Sequence, residues 1–354
     1  GIPQTMASIE DPERAEVLLA ARTTVRRLSL WSVATVALLP LGREGPVVQV
    51  GAAVAKALRR RLPVFARLLS PADGLAVGAA AGLAAGFNTP FMAVMFLAEE
   101  LTGRFGAGLI WPGLLVCVTA AGFSNISGQA EFALGVLHVV PPEPLQLLWA
   151  VPLGLIAGLA GALFARLLLE STRRIVPLAR RHPWPVGLVL GGLLTALLLL
   201  SGGSSGGDGE TLMRLLIARP QDGHADAITL ISRLIGPCLA LGAGVPGGLI
   251  DPAFAIGAVI GQMIGDGFGL GLLGLALGMA ASLAGATQLP VLSIAFSLRL
   301  AGDQQLLPGI VLAAVLGAYV SRLLISKPIY HALAELGEQR HADAQTGRDA
   351  ALRA

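Results

Sequence analysis

One carboxylate stands where the surrounding sequence is almost free of charge. Glu44 lies in the short break Gly42-Arg43-Glu44-Gly45-Pro46, between two mostly apolar stretches. Glycines let a backbone bend and approach a ligand closely, and a proline favours the first turn of a helix. The free amides and positive dipole end of a helix that begins here would attract an anion. A carboxylate in that place competes with the anion, so we interpret Glu44 as a gate.

The break also has a simpler interpretation as a surface loop between two helices. Short Gly/Pro loops with mixed charge are common, and Arg43 and Glu44 would then be solvated. The choice between the two interpretations depends on whether other parts of the chain supply a partner for this segment.

The composition indicates an all-α polytopic membrane protein. The 354 residues are 54% hydrophobic and 13% charged, whereas globular domains carry about 25% charged residues. Three apolar stretches are long enough to cross a bilayer, namely residues 106–122, 145–169 and 184–200. Several other apolar segments are too short, which favours half-helices whose ends meet inside the membrane. We therefore expect an integral, multi-pass protein in contact with a lipid bilayer.

The charged and sulfur-containing residues exclude other classes of function. Basic clusters at 59–61, 173–174 and 180–181 are typical of cytoplasmic loop anchors and give no support to nucleic-acid binding. Cys117 and Cys238 both lie in apolar segments, so we expect free buried thiols and no metal site.

Two sets of matches indicate an internal duplication. Aligning Pro90 with Pro290, an offset of 200, also aligns Asn88 with Gln288, and an offset of 206 aligns Pro46 with Pro252. Chance similarity between Ala-rich helices could explain one match, but two blocks in the same order favour a repeated transporter architecture.

The duplication predicts the organisation of the chain. Within one transmembrane domain, 1–354, we expect a first repeat at 1–126, a second at 145–334 and a polar tail at 335–354. Such repeats are often inverted, so that half-helix N-termini point from both sides at a midplane site. The chain opens without Met in the middle of a Gly/Pro helix-start signal, so we expect helices to precede Gly1.

The motifs taken together are similar to those of the CLC family of chloride channels and chloride/proton exchangers. The resemblance rests on five segments spread over nearly the whole chain: Gly1-Ile2-Pro3, Gly42-Arg43-Glu44-Gly45-Pro46, the Ala-rich stretch 80–100 with its Glu99-Glu100 pair, Gly248-Leu249-Ile250-Asp251-Pro252, and Lys327-Pro328-Ile329-Tyr330. It implies the CLC fold, with inverted repeats of broken and tilted helices.

The resemblance also implies a role for each matching residue. Glu44 would be the external gate and proton acceptor, and Glu100 the internal proton-transfer residue. Tyr330 would hold the central chloride. The implied anion-binding set is Gly1, Ile2, Pro3, Gly42, Arg43, Glu44, Gly45, Pro46, Gly248, Leu249, Ile250 and Tyr330. The serine that usually completes this set would precede Gly1.

Four positions fit these roles less simply. Ile250 replaces the usual Phe, and Asp251 places an acid beside an anion path, where it would repel anions unless it points away or is protonated. We expect solvent to cap Glu99 at a cytoplasmic helix end, and we expect Arg233, in an apolar run, to need a partner.

We expect a proton-coupled chloride antiporter that works as a homodimer, without a cofactor, in the bacterial inner membrane. A passive voltage- or pH-gated channel of the same fold is the nearest alternative. A fluoride-selective relative is another, although Tyr330 and Pro46 favour chloride. An intramembrane hydrolase is the alternative from another class, but its Gly-x-Ser-x-Gly match lies in the Ser/Gly-rich loop 201–209, without the strand-turn-helix context that a nucleophile needs.

Overall fold

The computed structural model describes residues 1–126, 128, 142–218, 225–301 and 304–339, and these residues are mainly helical. The helices are α1 Ile2–Glu10, α2 Ala15–Leu18, α3 Ala21–Val36, α4 Glu44–Arg61, α5 Pro63–Leu68, α6 Pro71–Phe87, α7 Pro90–Phe96, α8 Ala107–Ile126, α9 Ala150–Arg181, α10 Pro183–Leu200, α11 Glu210–Ala218, α12 Ala227–Gly242, α13 Ile250–Phe268, α14 Leu272–Thr287, α15 Pro290–Ala301, α16 Leu307–Leu324 and α17 at 329–339. The predicted all-α fold is confirmed.

Equivalent elements recur at the spacing found in the sequence. α4 and α13 begin 206 residues apart, and α7 and α15 both begin at a proline, 200 residues apart. α6 and α14 each end at a polar residue in the left-handed conformation, Asn88 with φ of 51° and Gln288 with φ of 62°. Asparagine tolerates this conformation well, whereas glutamine adopts it rarely, so these two caps stop the helices at defined points. The repeat boundaries at 126 and 145 stay predictions.

Small residues let the central helices approach each other closely. A Cβ added to Gly257 in α13 would lie 2.3 Å from the carbonyl oxygen of Gly278 in α14, and the reverse distance is also 2.3 Å. The first-half pair repeats this contact, since a Cβ on Gly51 in α4 would lie 2.2 Å from the Gly78 oxygen in α6. Close backbone packing of this kind is how helices associate where lipid removes the hydrophobic driving force.

Four helical segments of the described residues are long and apolar enough to cross a membrane: α8, α9 with its preceding turn, α10, and residues 307–339. Several bounds differ from those predicted. α9 continues through Pro177 to Arg181, α4 begins two residues before Pro46, and the amphipathic helix α11 was not predicted. Residues 335–339 of the predicted tail are helical, and 340–354 lie outside the described residues.

Candidate functional site

A short backbone pairing joins the segments that lead into α4 and α13. The Gly42 N–H donates to the Gly248 oxygen at 3.0 Å, and the Gly248 N–H donates to the Gly42 oxygen at 2.8 Å. Gly45 packs directly beside this pair, because a Cβ there would lie 2.5 Å from the Gly247 oxygen. The pairing therefore fixes the N-terminal turns of the two helices side by side.

Glu44 is fully buried at this junction and lies on the N-terminus of the other helix. Its Oε1 accepts a 2.7 Å hydrogen bond from the N–H of Asp251, the second residue of α13. Its Oε2 has no hydrogen-bond partner among the described residues. A free N-terminal amide is the place where a helix binds an anion, so the carboxylate occupies an anion position.

Glycine is required at two positions to make room for this carboxylate. A Cβ on Gly248 would lie 1.3 Å from the Glu44 Oε2, and a Cβ on Gly42 would lie 2.2 Å from the same atom. No real Cβ could occupy either place without displacing the carboxylate. These contacts give a steric reason for the glycines that the sequence motifs contain.

Arg43 pairs with acids at the junction. Its guanidinium pairs with Asp208 at 3.1 Å, with Glu210, and with Asp251 at 3.7 Å. It also lies 5.3 Å from the centre of the Phe87 ring. The charge of Arg43 is thus balanced locally by acids, and its predicted part in anion binding stays a prediction.

Asp251 stays at the junction and does not point away from it. The residue is 2% exposed, its N–H donates to the Glu44 carboxylate, and its Oδ2 has no hydrogen-bond partner in the described part of the chain. The Arg43 guanidinium faces it on the other side. Two neighbouring buried carboxyls repel each other when both are ionised. Ionisation of one of this pair therefore disfavours ionisation of the other.

A cavity of about 330 Å³ lies beyond Gly248. Six of the predicted anion-binding residues line it: Gly1, Ile2, Pro3, Gly248, Leu249 and Tyr330. The Tyr330 side chain is buried, and its hydroxyl has no hydrogen-bond partner among the described residues. Arg27 and Arg180 also line the cavity, so its wall includes two cationic side chains that attract anions.

The other predicted anion-binding residues do not line the cavity. Gly42, Arg43, Glu44 and Gly45 lie at the junction, Pro46 is buried in the first turn of α4, and the fully buried Ile250 begins α13. The predicted set is therefore divided into a junction group and a cavity group, with Gly248 shared by both. The sequence did not single out Arg27 and Arg180 as site residues, although Arg180 belongs to the basic cluster at 180–181.

The two neighbouring glutamates Glu99 and Glu100 lie in a π-helical turn, Leu97–Leu101, that follows α7. The Glu99 carboxylate accepts hydrogen bonds from the N–H of Val291 at 3.0 Å and of Leu292 at 2.6 Å. These are the first two N–H groups of α15, because Pro290 has none. The expectation that solvent caps Glu99 is wrong, since it caps a helix from the other half of the chain.

Glu100 has a different environment from its neighbour. It is 5% exposed, and its Oε1 has no hydrogen-bond partner within the described ranges. The nearest basic atom is the His331 Nε2, at 3.9 Å, on the residue after Tyr330. The Phe96 ring, just before the turn, packs edge-on against the Tyr330 ring at 6.4 Å between centres. Glu100 is therefore close to the cavity wall through these neighbours.

Arg233 organises the loop that supplies Asp208. Its three guanidinium nitrogens donate to the carbonyl oxygens of Ser204, Gly206 and Gly207 at 2.8–2.9 Å. The expected partner of this buried arginine is thus the backbone of the Ser/Gly-rich loop. A buried cation and a loop without hydrophobic content were both visible in the sequence, but their pairing was not.

The chain is similar to known proteins over most of its length. Residues 1–322 match the family described as "Voltage gated chloride channel". The chain is 31% identical over 304 residues to the "Voltage-gated ClC-type chloride channel ClcB" of Escherichia coli O17:K52:H18 (strain UMN026 / ExPEC), which covers 82% of this chain and 70% of that protein.

Two solved structures are similar to the chain. A CLC-type fluoride/proton antiporter matches with a TM-score of 0.70 and 29% identity, over 82% of this chain and 72% of the other. A slow cyanobacterial Cl⁻/H⁺ antiporter matches with a TM-score of 0.78 and 23% identity, over 95% and 80% of the two chains. The second similarity concerns the fold alone.

Proposed function

The chain belongs to the voltage-gated chloride channel (CLC) family, and from this premise we propose that it exchanges chloride for protons across a membrane. Glu44 is the outer gate and the proton acceptor in this proposal. The observation that supports it most directly is the 2.7 Å hydrogen bond from the Asp251 N–H to the Glu44 Oε1. A carboxylate with this partner competes with any anion for the N-terminus of α13.

Protonation links the two ions. An ionised Glu44 side chain is held by the helix amide and by the nearby positive charge of Arg43. Protonation removes its charge and weakens both attractions, so the side chain can leave and a chloride ion can take its place. The event that admits the anion is therefore the event that loads the proton.

The inner half of the pathway uses the cavity. The Tyr330 hydroxyl and the amides of Leu249 and Ile250 hold chloride without a fixed full charge, so that the ion can also leave. Gly1, Ile2 and Pro3, at the start of α1, complete this part of the site. Glu100, which is buried beside the cavity wall, transfers the proton between Glu44 and the inner solution.

A passive chloride channel is the second candidate, since the ClcB relative is named as a channel. The buried Glu100 favours the exchanger, because an acid without hydrogen-bond partners for its Oε1 among the described residues is suited to proton transfer. A pH gradient shifts the reversal potential of an exchanger and leaves that of a passive channel unchanged. Fluoride is the alternative cargo suggested by the 29% identical antiporter, and competition between the two anions in the same assay distinguishes them.

We further propose that the protein works as a homodimer in a lipid bilayer, in the bacterial plasma membrane. It acts as a transporter and not as an enzyme, and it uses no cofactor beyond the chloride ions in its pathway.

The test is simultaneous recording of chloride and proton flux in reconstituted vesicles. Glu44→Gln should abolish proton movement while chloride flux survives, because the amide cannot take up and release the proton. Glu16→Gln is a matched control, since Glu16 is half exposed and pairs with surface Lys56 and Arg60. Persistent proton transport by Glu44→Gln would contradict the assignment of Glu44.

A further inference from the structure

The junction contains a second buried acid whose position the exchange mechanism has not yet used. Asp251 and Glu44 are 2% and 0% exposed, and the Asp251 N–H donates to the Glu44 carboxyl at 2.7 Å, which places the two side chains next to each other. Each has one oxygen without a hydrogen-bond partner among the described residues, Oδ2 of Asp251 and Oε2 of Glu44. Two neighbouring buried carboxyls are poorly tolerated when both are ionised, and one proton between them converts repulsion into a hydrogen bond.

We propose that Asp251 is a second proton-binding carboxyl of the gate, which shares one proton with Glu44. This inference rests on the proposed proton-coupled exchange and adds a residue to it. The proton comes from the outer solution, forms an O–H bond on one carboxyl and a hydrogen bond to the other, and leaves with Glu44 when that side chain swings away. Asp251 then remains ionised beside Arg43 until the next proton arrives.

The charges around the pair support a single shared proton. The groups that interact with it or with its neighbours are Arg43 on the segment before α4, Asp208 and Glu210 beside α11, Arg214 on α11, Arg233 on α12 and the neutral hydroxyl of Tyr330. Counted together with Glu44 and Asp251 themselves, the cluster contains three arginines and four carboxyls. One proton leaves this cluster without net charge, which matters because a buried excess charge is costly in a low dielectric.

The pair also explains how an acid can stand beside an anion path. When the proton is shared, one negative charge remains on the pair, and the Arg43 guanidinium lies 3.7 Å from the Asp251 Oδ2. When Glu44 leaves with the proton, the ionised Asp251 keeps its place against Arg43, while its own N–H is released from Glu44. The amide then faces the anion and the carboxyl faces the arginine.

The experiment measures chloride flux into vesicles over a series of external pH values. Asp251→Asn removes a negative charge next to Glu44, so an ionised Glu44 is held more firmly. The external pH of half-maximal flux should therefore move in the acidic direction by about one unit, within the range that neighbouring charges produce. Asp251→Ala should cause a shift of the same sign, and it replaces Asp251→Asn if the amide variant does not fold.

Asp208→Asn is the matched control. It also removes a carboxyl that pairs with Arg43, but no hydrogen bond joins Asp208 to Glu44 among the described residues, so its shift should be less than half as large. In the Glu44→Gln background, Asp251→Asn should produce no shift at all, because the shared proton needs both acids.

The outcomes separate this inference from the function on which it rests. An Asp251→Asn variant with unchanged pH dependence and intact proton coupling would overturn the shared proton and leave the exchange mechanism standing. Equal shifts in Asp251→Asn and Asp208→Asn would also overturn the shared proton. A wild-type protein that moves chloride without protons would overturn the exchange mechanism instead, and this is measured before any variant is compared.

Discussion

At the junction of α4 and α13, the Asp251 N–H donates to the Glu44 Oε1, and the Glu44 Oε2 has no hydrogen-bond partner in the described part of the chain. At the π-helical turn, both oxygens of Glu99 accept an N–H, from Val291 and Leu292. Both carboxylates lie on the N-terminus of a helix from the other half of the chain. The two carboxylates differ in the number of hydrogen bonds that they accept. The Glu44 carboxylate accepts fewer and should therefore be replaced by another anion more easily than the Glu99 carboxylate.

Glu100 extends the comparison to adjacent positions. Glu99 is partly exposed and accepts two hydrogen bonds, whereas Glu100 is buried, its Oε1 has no hydrogen-bond partner among the described residues, and the His331 Nε2 lies 3.9 Å from that oxygen. Consecutive helical residues point in directions about 100° apart, so one backbone segment can present one acid to a helix end and the other to the interior. The first fixes structure, and the second is the residue to which the proposed exchange assigns proton transfer.

The largest effect that distinguishes these acids should come from Glu100→Gln. We expect proton transport to fall on the order of 100-fold, the contribution typical of a positioned acid or base, while chloride flux persists. Glu99→Gln is the matched control and should keep its coupling. Simultaneous flux measurements check this, and an equal loss in both variants would remove the distinction between the two glutamates.

The next largest effect should come from Gly248→Ala, at the junction of α4 and α13. The new methyl group would lie 1.3 Å from the Glu44 Oε2, so the carboxylate cannot stay on α13. Chloride flux should lose most of its dependence on external pH, and overpacking should cost about 1–3 kcal/mol of folding free energy. Gly108→Ala is the control, since a Cβ there would meet no described atom within 4 Å. A pH response of wild-type shape in Gly248→Ala would place the carboxylate elsewhere.

Glu99→Ala should act on stability more than on transport. Removing a carboxylate that satisfies two N-terminal amides of α15 should lower the free energy of unfolding by about 1–2 kcal/mol. Thermal unfolding in detergent measures this, with coupling recorded on the same preparation. An unchanged melting temperature would mean that water satisfies these amides equally well.

The smallest effect is expected at an exposed ion pair far from both regions. Arg14 and Glu338 contact each other with both side chains more than 40% exposed. Glu338→Gln should change the unfolding free energy by less than about 1 kcal/mol, because solvent screens such pairs. A loss as large as that of Glu99→Ala would show that exposure is a poor guide to the value of these contacts.

Much of the fold followed from local signals. An apolar run forms a helix whatever its position in the chain. The prolines at 90 and 290 begin α7 and α15, as the repeat predicts. The break at Gly42–Pro46 was also visible, because small residues and a proline interrupt an apolar pattern. Errors concerned helix ends, such as the extension of α9 through Pro177, and the short amphipathic helix α11, which was not predicted.

The sequence by itself determined which residues are candidates: a lone glutamate in a Gly/Pro break, a pair of glutamates and a tyrosine near the end. It could not determine their partners, since Asp251 is 207 residues from Glu44 and Val291 is 192 residues from Glu99. Only the tertiary structure placed one acid against another and gave one glutamate two amides. Helix propensity depends on near neighbours, whereas hydrogen bonds, buried charges and steric room depend on contacts between distant segments.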